Sequence, residues 1–271
     1  MDLCNSNYEG SEVIRDNEGT RRGYKLSTLR GIYGDTGILE EICLGNIKEH
    51  DLKLSREMIL KSNVLKPGDI LINDRGFLSR DVINQLKLQR GVDTYIPLKK
   101  NMEAFEQAVS IAKEENNWHK HPNRKRKNQK IAFVDSLGCH WKSDHPEKDV
   151  QINACVVYDE KDDKYYVFVT TDTKKTGKQI ITTYELRPEI EEDYRQIKDF
   201  WQIEDFKSTK FNFVAFHIVM VLIGYLFFQI YKEMEVGRKY AGKCLPVAIK
   251  NYIADGPKSV IIYSGQYFGI F

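Results

Sequence analysis

At 271 residues the chain can hold one large domain, or one domain with an insertion, around a substantial core. With 41% hydrophobic residues, 30% charged residues and only seven prolines, its composition is that of a globular protein and not of a low-complexity chain. A net charge of +2 excludes a uniformly basic nucleic-acid binder, so any affinity for nucleic acid has to come from local patches.

Residues 1–22 are polar and turn-rich, and order is expected to begin at Gly23. Gly23 to Gly31 alternates between apolar and polar residues and is bounded by glycines, as a strand is. A Gly34-Asp35-Thr36-Gly37 turn then leads to a partner strand over Ile38–Leu44, giving a hairpin. An amphipathic helix with Leu52, Leu54, Met58 and Ile59 follows, with Asp51 as its expected N-cap. After a Pro67-Gly68 turn, three aliphatic residues ending at Asn73-Asp74 predict a buried strand whose end reaches a site. Ser79 is expected to cap a helix through Arg90 with Val82, Ile83 and Leu86 inward. Thr94–Leu98 is a short strand, with Pro97 marking an edge or a strand end, and it runs into Lys99-Lys100-Asn101. From 102 to 172 a helix (Met102–Glu115) and a basic loop precede β-like runs at Ile131–Val134, Gln151–Tyr158 and Tyr165–Thr171. The Asp159–Asp163 turn makes the last two a hairpin. Helical sequence resumes near Thr182, and a last strand candidate spans Ser259–Tyr263 before an apolar end at Phe271.

The expected layout is therefore a first core segment (1–101), a β-rich insertion (102–172) and a second core segment (173–271). The fold class is α/β, a mixed sheet flanked by helices. Phe211 to Tyr231 holds no Asp, Glu, Lys or Arg over 21 residues, a length that could span a bilayer core. Asn212, His217 and Gln229 are spread along it and a charged helix directly precedes it, so a helix buried on nearly all sides is preferred to a membrane span. Five scattered cysteines (Cys4, Cys43, Cys139, Cys155, Cys244) without a C-x-x-C pair point to a reducing cytoplasm. Cys139, His140 and His145 stand close together but leave a metal site two ligands short. The N-terminus has no basic-then-apolar leader pattern.

The residues with the sharpest chemistry are Tyr184, Arg187, Glu191 and Lys198, spaced Y-x2-R-x3-E-x6-K. On one ideal helix, at about 100° per residue, they share a face: a carboxylate flanked by a phenol and two cations. Such a face suits a metal ion beside a phosphodiester, and equally a solvated helix with an Arg187–Glu191 pair. Pro188 complicates the geometry, because a proline in the first helical turn would leave Tyr184 outside the helix.

The whole signature resembles that of the insertion-sequence-4 family of DDE transposases. Asn73-Asp74-Arg75-Gly76-Phe77 is similar to that family's second-aspartate motif. Gly23-Tyr24-Lys25-Leu26, Asn46-x3-His50-Asp51 and Leu98-Lys99-Lys100-Asn101 also resemble family features, so the likeness runs over roughly 20–235. It implies a ribonuclease-H-like core with a β-rich insertion between the second Asp and the Glu. It also implies metal-dependent cleavage and strand transfer of DNA at insertion-element ends, by cut and paste, in the bacterial cytoplasm at the nucleoid. Asp74 and Glu191 would ligate two Mg2+ ions, or Mn2+ in their place. Tyr184, Arg187 and Lys198 would hold phosphates, with Lys99 and Lys100 near the DNA backbone or simply on a solvated loop. The implied partners are element-end and target DNA and a second copy of the chain, with no membrane and no small-molecule substrate.

The first catalytic Asp of such a fold belongs on a central apolar strand preceding Gly23, and residues 1–22 hold nothing of that kind. Asp2 has only Met1 before it and Asp16 lies in a polar turn, so the first Asp is expected to be missing and cleavage to be weak. A DNA-binding remnant without catalysis is the alternative. Arg124, Lys125, Arg126 and Lys127, in a stretch from Lys120 to Lys130 without an acid, form a candidate contact to the DNA backbone. A mobile surface loop is the other reading of that stretch, and Trp118 and His119 could add base stacking.

Overall fold

The computed structural model describes residues 1–4, 7–16, 19–33, 36–137 and 150–233. The Cys139, His140, His145 group, Cys244, the Ser259–Tyr263 strand candidate and the apolar end lie outside the described residues.

Two sheets make up the described chain. The first holds β1 (Asp2–Cys4), β2 (Glu12–Asp16), β3 (Gly19–Tyr33) and β4 (Thr36–Asn46), with β3 paired antiparallel to the other three. The 23–44 hairpin is present but longer than its alternation predicts. Order also begins well before Gly23. Leu3 is fully buried, and β2 pairs Val13 with Arg22 and Ile14 with Arg21. These early strands were hidden because β1 has three residues and β2 carries charged residues at both ends.

Then α1 (Asp51–Lys61) starts one residue earlier than expected, and His50, not Asp51, caps it: His50 Nδ1 accepts the Leu52 amide at 3.3 Å. Asp51 instead fills the first turn, where a negative charge suits the helix dipole.

The second sheet is built in the order β5 (Ile70–Ile72), β6 (Asp93–Pro97), β10 (Lys164–Thr170), β9 (Asn153–Asp159), β8 (Gln129–Val134), β7 (His119–Lys120). β5 and β6 are parallel, and every other pair is antiparallel. Between β5 and β6 a 3-10 turn (Arg75–Phe77) leads to α2 (Arg80–Gln85), which Ser79 caps through Val82 N and a π-helical turn extends to Arg90. β5 is an edge strand, and Ile70 is 43% exposed, so the predicted burial holds at Leu71 and not along the whole strand. β6 lies inside the sheet, so Pro97 marks a strand end.

Strands of the 102–172 stretch continue this sheet, since β10 pairs directly with β6. β9 shows five consecutive buried residues because both of its faces are covered. On one face α3 (Glu103–Glu115) packs Ala104, Ala108 and Ala112 against Ala132, Ala154, Val156 and Val167. On the other, α4 (Gly177–Tyr184) lays Ile180 and Ile181 against Tyr95, Ile131 and Val157.

Finally α5 (Pro188–Asp199) and α6 (Phe211–Glu233) cover the first sheet. Val214, Ile218, Leu222, Tyr225 and Phe228 of α6 form a core with Leu3, Leu26 and Ile197. The opposite face of α6 is open, with Phe213 65%, Phe216 63% and Phe227 65% exposed. This corrects the expectation of a helix buried on nearly all sides. By length and composition Phe211–Ile230 could also cross a membrane, at a mean hydropathy of 2.2.

Candidate metal and DNA site

Strand direction gathers the candidate residues at one end of the second sheet. β5 and β6 point the same way, so Asp74 and the Lys99-Lys100 pair leave the sheet at the same end. The antiparallel order of β10, β9 and β8 brings the 121–128 loop to that end as well. α4 runs back up the sheet after β10 and delivers Tyr184 there.

Asp74 sits two residues past β5 and caps the turn that follows: its Oδ1 accepts the Arg75 amide at 2.6 Å. Its Oδ2 accepts from Arg187 Nη2 at 3.0 Å, while Arg187 Nη1 donates to Glu191 Oε1 at 2.6 Å. Two carboxylates 117 positions apart in the sequence thus meet on one guanidinium. Both carboxylates are open to solvent, Asp74 at 50% and Glu191 at 58%.

The Tyr-Arg-Glu-Lys spacing does not lie on one helix. α4 ends at Tyr184 and α5 begins at Pro188, the first-turn position in which proline costs no hydrogen bond. Arg187 lies in the turn between them, its amide bonded to Tyr184 O at 3.0 Å. The Tyr184 ring packs on Phe168 at 4.7 Å. Burial pushes its phenol up to about 12, the Asp74 charge adds to the rise, and Arg187 and Arg75 oppose it. Tyr184, Asp74, Arg187, Arg75 and Glu191 therefore form one electrostatic group. Lys198 stands two turns along α5 on the side of Glu191, but it pairs with Glu204 at 3.2 Å instead of joining Asp74. Glu204 Oε1 also accepts the Cys4 amide at 2.7 Å, which fills a place on the open edge of β1.

Glu191 owes its position to the opposite side of α5. Two residues on, about 200° around the helix, Asp193 accepts Arg30 Nε at 2.5 Å and the Tyr225 hydroxyl at 2.7 Å. Thr28 and Tyr194 are hydrogen bonded at 2.6 Å. These contacts fix α5 to β3 and α6.

Arg124, Lys125, Arg126 and Lys127 are exposed, as are Lys99 and Lys100. The 121–128 loop is a hydrogen-bonded turn. Asn123 Oδ1 accepts the Lys125 amide at 3.0 Å, and the Gln129 amide donates to Arg126 O at 3.1 Å. Glu185 ties this loop to the Tyr184–Arg187 turn by accepting Arg126 Nε at 2.8 Å and Asn123 Nδ2 at 3.1 Å. Sequence reasoning missed Glu185, whose only signal is its place beside Tyr184. It also missed the position of Asp51: a side chain added at Gly76 would stand 3.6 Å from Asp51 Oδ2, so this acid faces the turn that follows Asp74. Asp51 pairs with Lys25 at 3.2 Å. Asp2 lies on β1 and pairs with Arg21 at 3.3 Å. Among the described residues no group of three or more His, Cys, Asp and Glu side chains converges as a metal site.

No curated protein and no solved structure matches the chain. The family model described as the transposase DDE domain matches residues 10–227, which takes in both strands of the hairpin, Asp74, the basic loop, Glu191 and most of α6. The chain belongs to the transposase DDE domain family.

Proposed function

We propose that the chain performs metal-dependent cleavage and strand transfer of DNA at the ends of an insertion element, by cut and paste, with Asp74 and Glu191 as its metal-binding acids. The observation that carries this reading is their meeting on Arg187 from 117 positions apart within the family match. Their donor chemistry fits one divalent ion, since Mg2+ is commonly held by one or two carboxylates completed by substrate phosphates. A second ion would need a further acid. When bound, such an ion activates the attacking oxygen or steadies the leaving one. The protein's own groups do the rest. Tyr184, a neutral donor at working pH, and Arg187 hold a phosphate beside the acids. Arg75 adds positive charge, and Lys198 lies farther along α5. Arg124, Lys125, Arg126 and Lys127, with Lys99 and Lys100, supply contacts to the DNA backbone at the same sheet end. We read α6 as a core helix on its buried face, and the acting form as a dimer on paired DNA ends at the nucleoid.

A second reading, a DNA-binding protein without cleavage, is favoured by the lack of a third converging acid among the described residues. One assay separates the two. Nicking of duplex DNA carrying the element ends, with Mg2+ or Mn2+, should be lost in Asp74→Asn and Glu191→Gln while binding persists. Nicking that survives both substitutions overturns the first reading, and salt-sensitive binding with no nicking in any protein supports the second.

A further inference from the structure

The two terminal nitrogens of Arg187 hold one oxygen of each acid: Asp74 Oδ2 at 3.0 Å and Glu191 Oε1 at 2.6 Å. The other Asp74 oxygen is already engaged by the Arg75 amide at 2.6 Å. A divalent ion shared by Asp74 and Glu191 would stand close to the guanidinium that joins them, and two cations repel each other there. Guanidinium and metal therefore compete for the same pair of acids.

The guanidinium is also placed to leave. It belongs to the turn between α4 and α5, so it can swing without unwinding either helix. Its ion pairs are open to solvent, and exposed pairs are weak. A phosphate offers a guanidinium the same two-point hydrogen bonding as a carboxylate, with the charge needed to draw it away. The groups that would bring a phosphate near are already present: Tyr184 beside it, and the basic loop held by Glu185 two residues before it.

We propose that Arg187 couples metal loading to DNA binding: it closes the Asp74–Glu191 pair in the absence of DNA, and a DNA phosphate pulls it off so that a divalent ion can enter. This rests on the metal-binding reading of the two acids. By reciprocity, metal then tightens DNA binding by the same factor.

The test is Mn2+ binding to the full chain by titration calorimetry, with and without a short duplex, in wild type, Arg187→Gln and Arg195→Gln. Arg195 lies on the same helix but pairs with Glu192 and Asp199, so its variant is the control for charge alone. Wild type and Arg195→Gln should bind Mn2+ on the order of tenfold more tightly with DNA than without, within the range usual for coupled sites. Arg187→Gln should bind Mn2+ about as tightly without DNA as wild type does with it, and DNA should add little. Mn2+ binding that is indifferent to DNA in wild type, or no tighter in Arg187→Gln, overturns the coupling and leaves the two acids as metal ligands. No Mn2+ binding in any protein, with or without DNA, overturns the metal-binding reading as well.

Discussion

Asp193→Ala should loosen the helix that carries Glu191. Asp193 is buried on the inner side of α5, where it accepts Arg30 Nε at 2.5 Å and the Tyr225 hydroxyl at 2.7 Å. Removing one partner of a buried pair costs about 3–5 kcal/mol, because the other charge stays desolvated. Arg30 keeps one further partner, Glu189 at 2.8 Å, and Tyr225 keeps Gln196 at 3.3 Å. The lower end of the range therefore applies, about 3 kcal/mol, or a fall in Tm of roughly 6–12 °C for a domain of this size. Asp193→Asn retains the shape and an acceptor for the Tyr225 hydroxyl, so it should cost about half as much, near the value of one charge-assisted hydrogen bond. Glu189 sits on the solvent side of the same network, and Glu189→Gln should stay within about 0.5 kcal/mol of wild type. Urea unfolding followed by fluorescence and circular dichroism measures all three. An Asp193→Ala protein within about 0.5 kcal/mol of wild type would refute the view that this network anchors α5.

Alkaline pH should destabilise the protein through Tyr95 and Tyr184, each pushed up to about 12, chiefly by burial. A folded value above the unfolded value near 10 leaves this stability intact below pH 10 and removes it as pH rises through 12. The absorbance of tyrosinate during a pH titration, compared with Tyr184→Phe, checks the assignment. Replacing Arg124, Lys125, Arg126 and Lys127 with alanine should make DNA affinity less dependent on salt, by about 0.9 in log–log slope for each phosphate that the loop no longer neutralises. An unchanged slope would remove this loop from the interface. Glu185→Ala should free the loop from α4 and speed tryptic cleavage between residues 124 and 127, at a cost of about 1 kcal/mol or less. Digestion at the wild-type rate would show that the tether does not order the loop.

The sequence made most of the second sheet legible, because its inner strands carry runs of buried residues, as along β6 and β9. Asn153–Asp159 and Lys164–Thr170 are rich in valine and tyrosine and flank an acidic turn, so their hairpin could be read directly. β1 and β2 could not be read in this way, since pairing with the long β3 supplies what their own residues lack. The Tyr-Arg-Glu-Lys spacing reads as one face of one helix, whereas in the structure two helices meet at Arg187 and Lys198 turns to Glu204. Periodicity treats a helix as continuous, and Pro188 was the one sign of the break. The meeting of Arg187 with Asp74 depends on β5, α4 and α5 packing together, and no local pattern encodes that. Glu185 escaped notice, and the approach of Asp51 to Gly76 could not be read, for the same reason: each contact is to a partner far away in sequence.

Iron-directed backbone cleavage tests the shared metal position most directly. Fe2+ bound in place of Mg2+, with ascorbate and peroxide and in the presence of duplex DNA, should cut the protein near residue 74 and near residue 191 in the same reaction. Both cuts should vanish together in Asp74→Asn or in Glu191→Gln. Cleavage at only one of the two positions, or at both in the variants, would contradict a single metal position shared by the two acids.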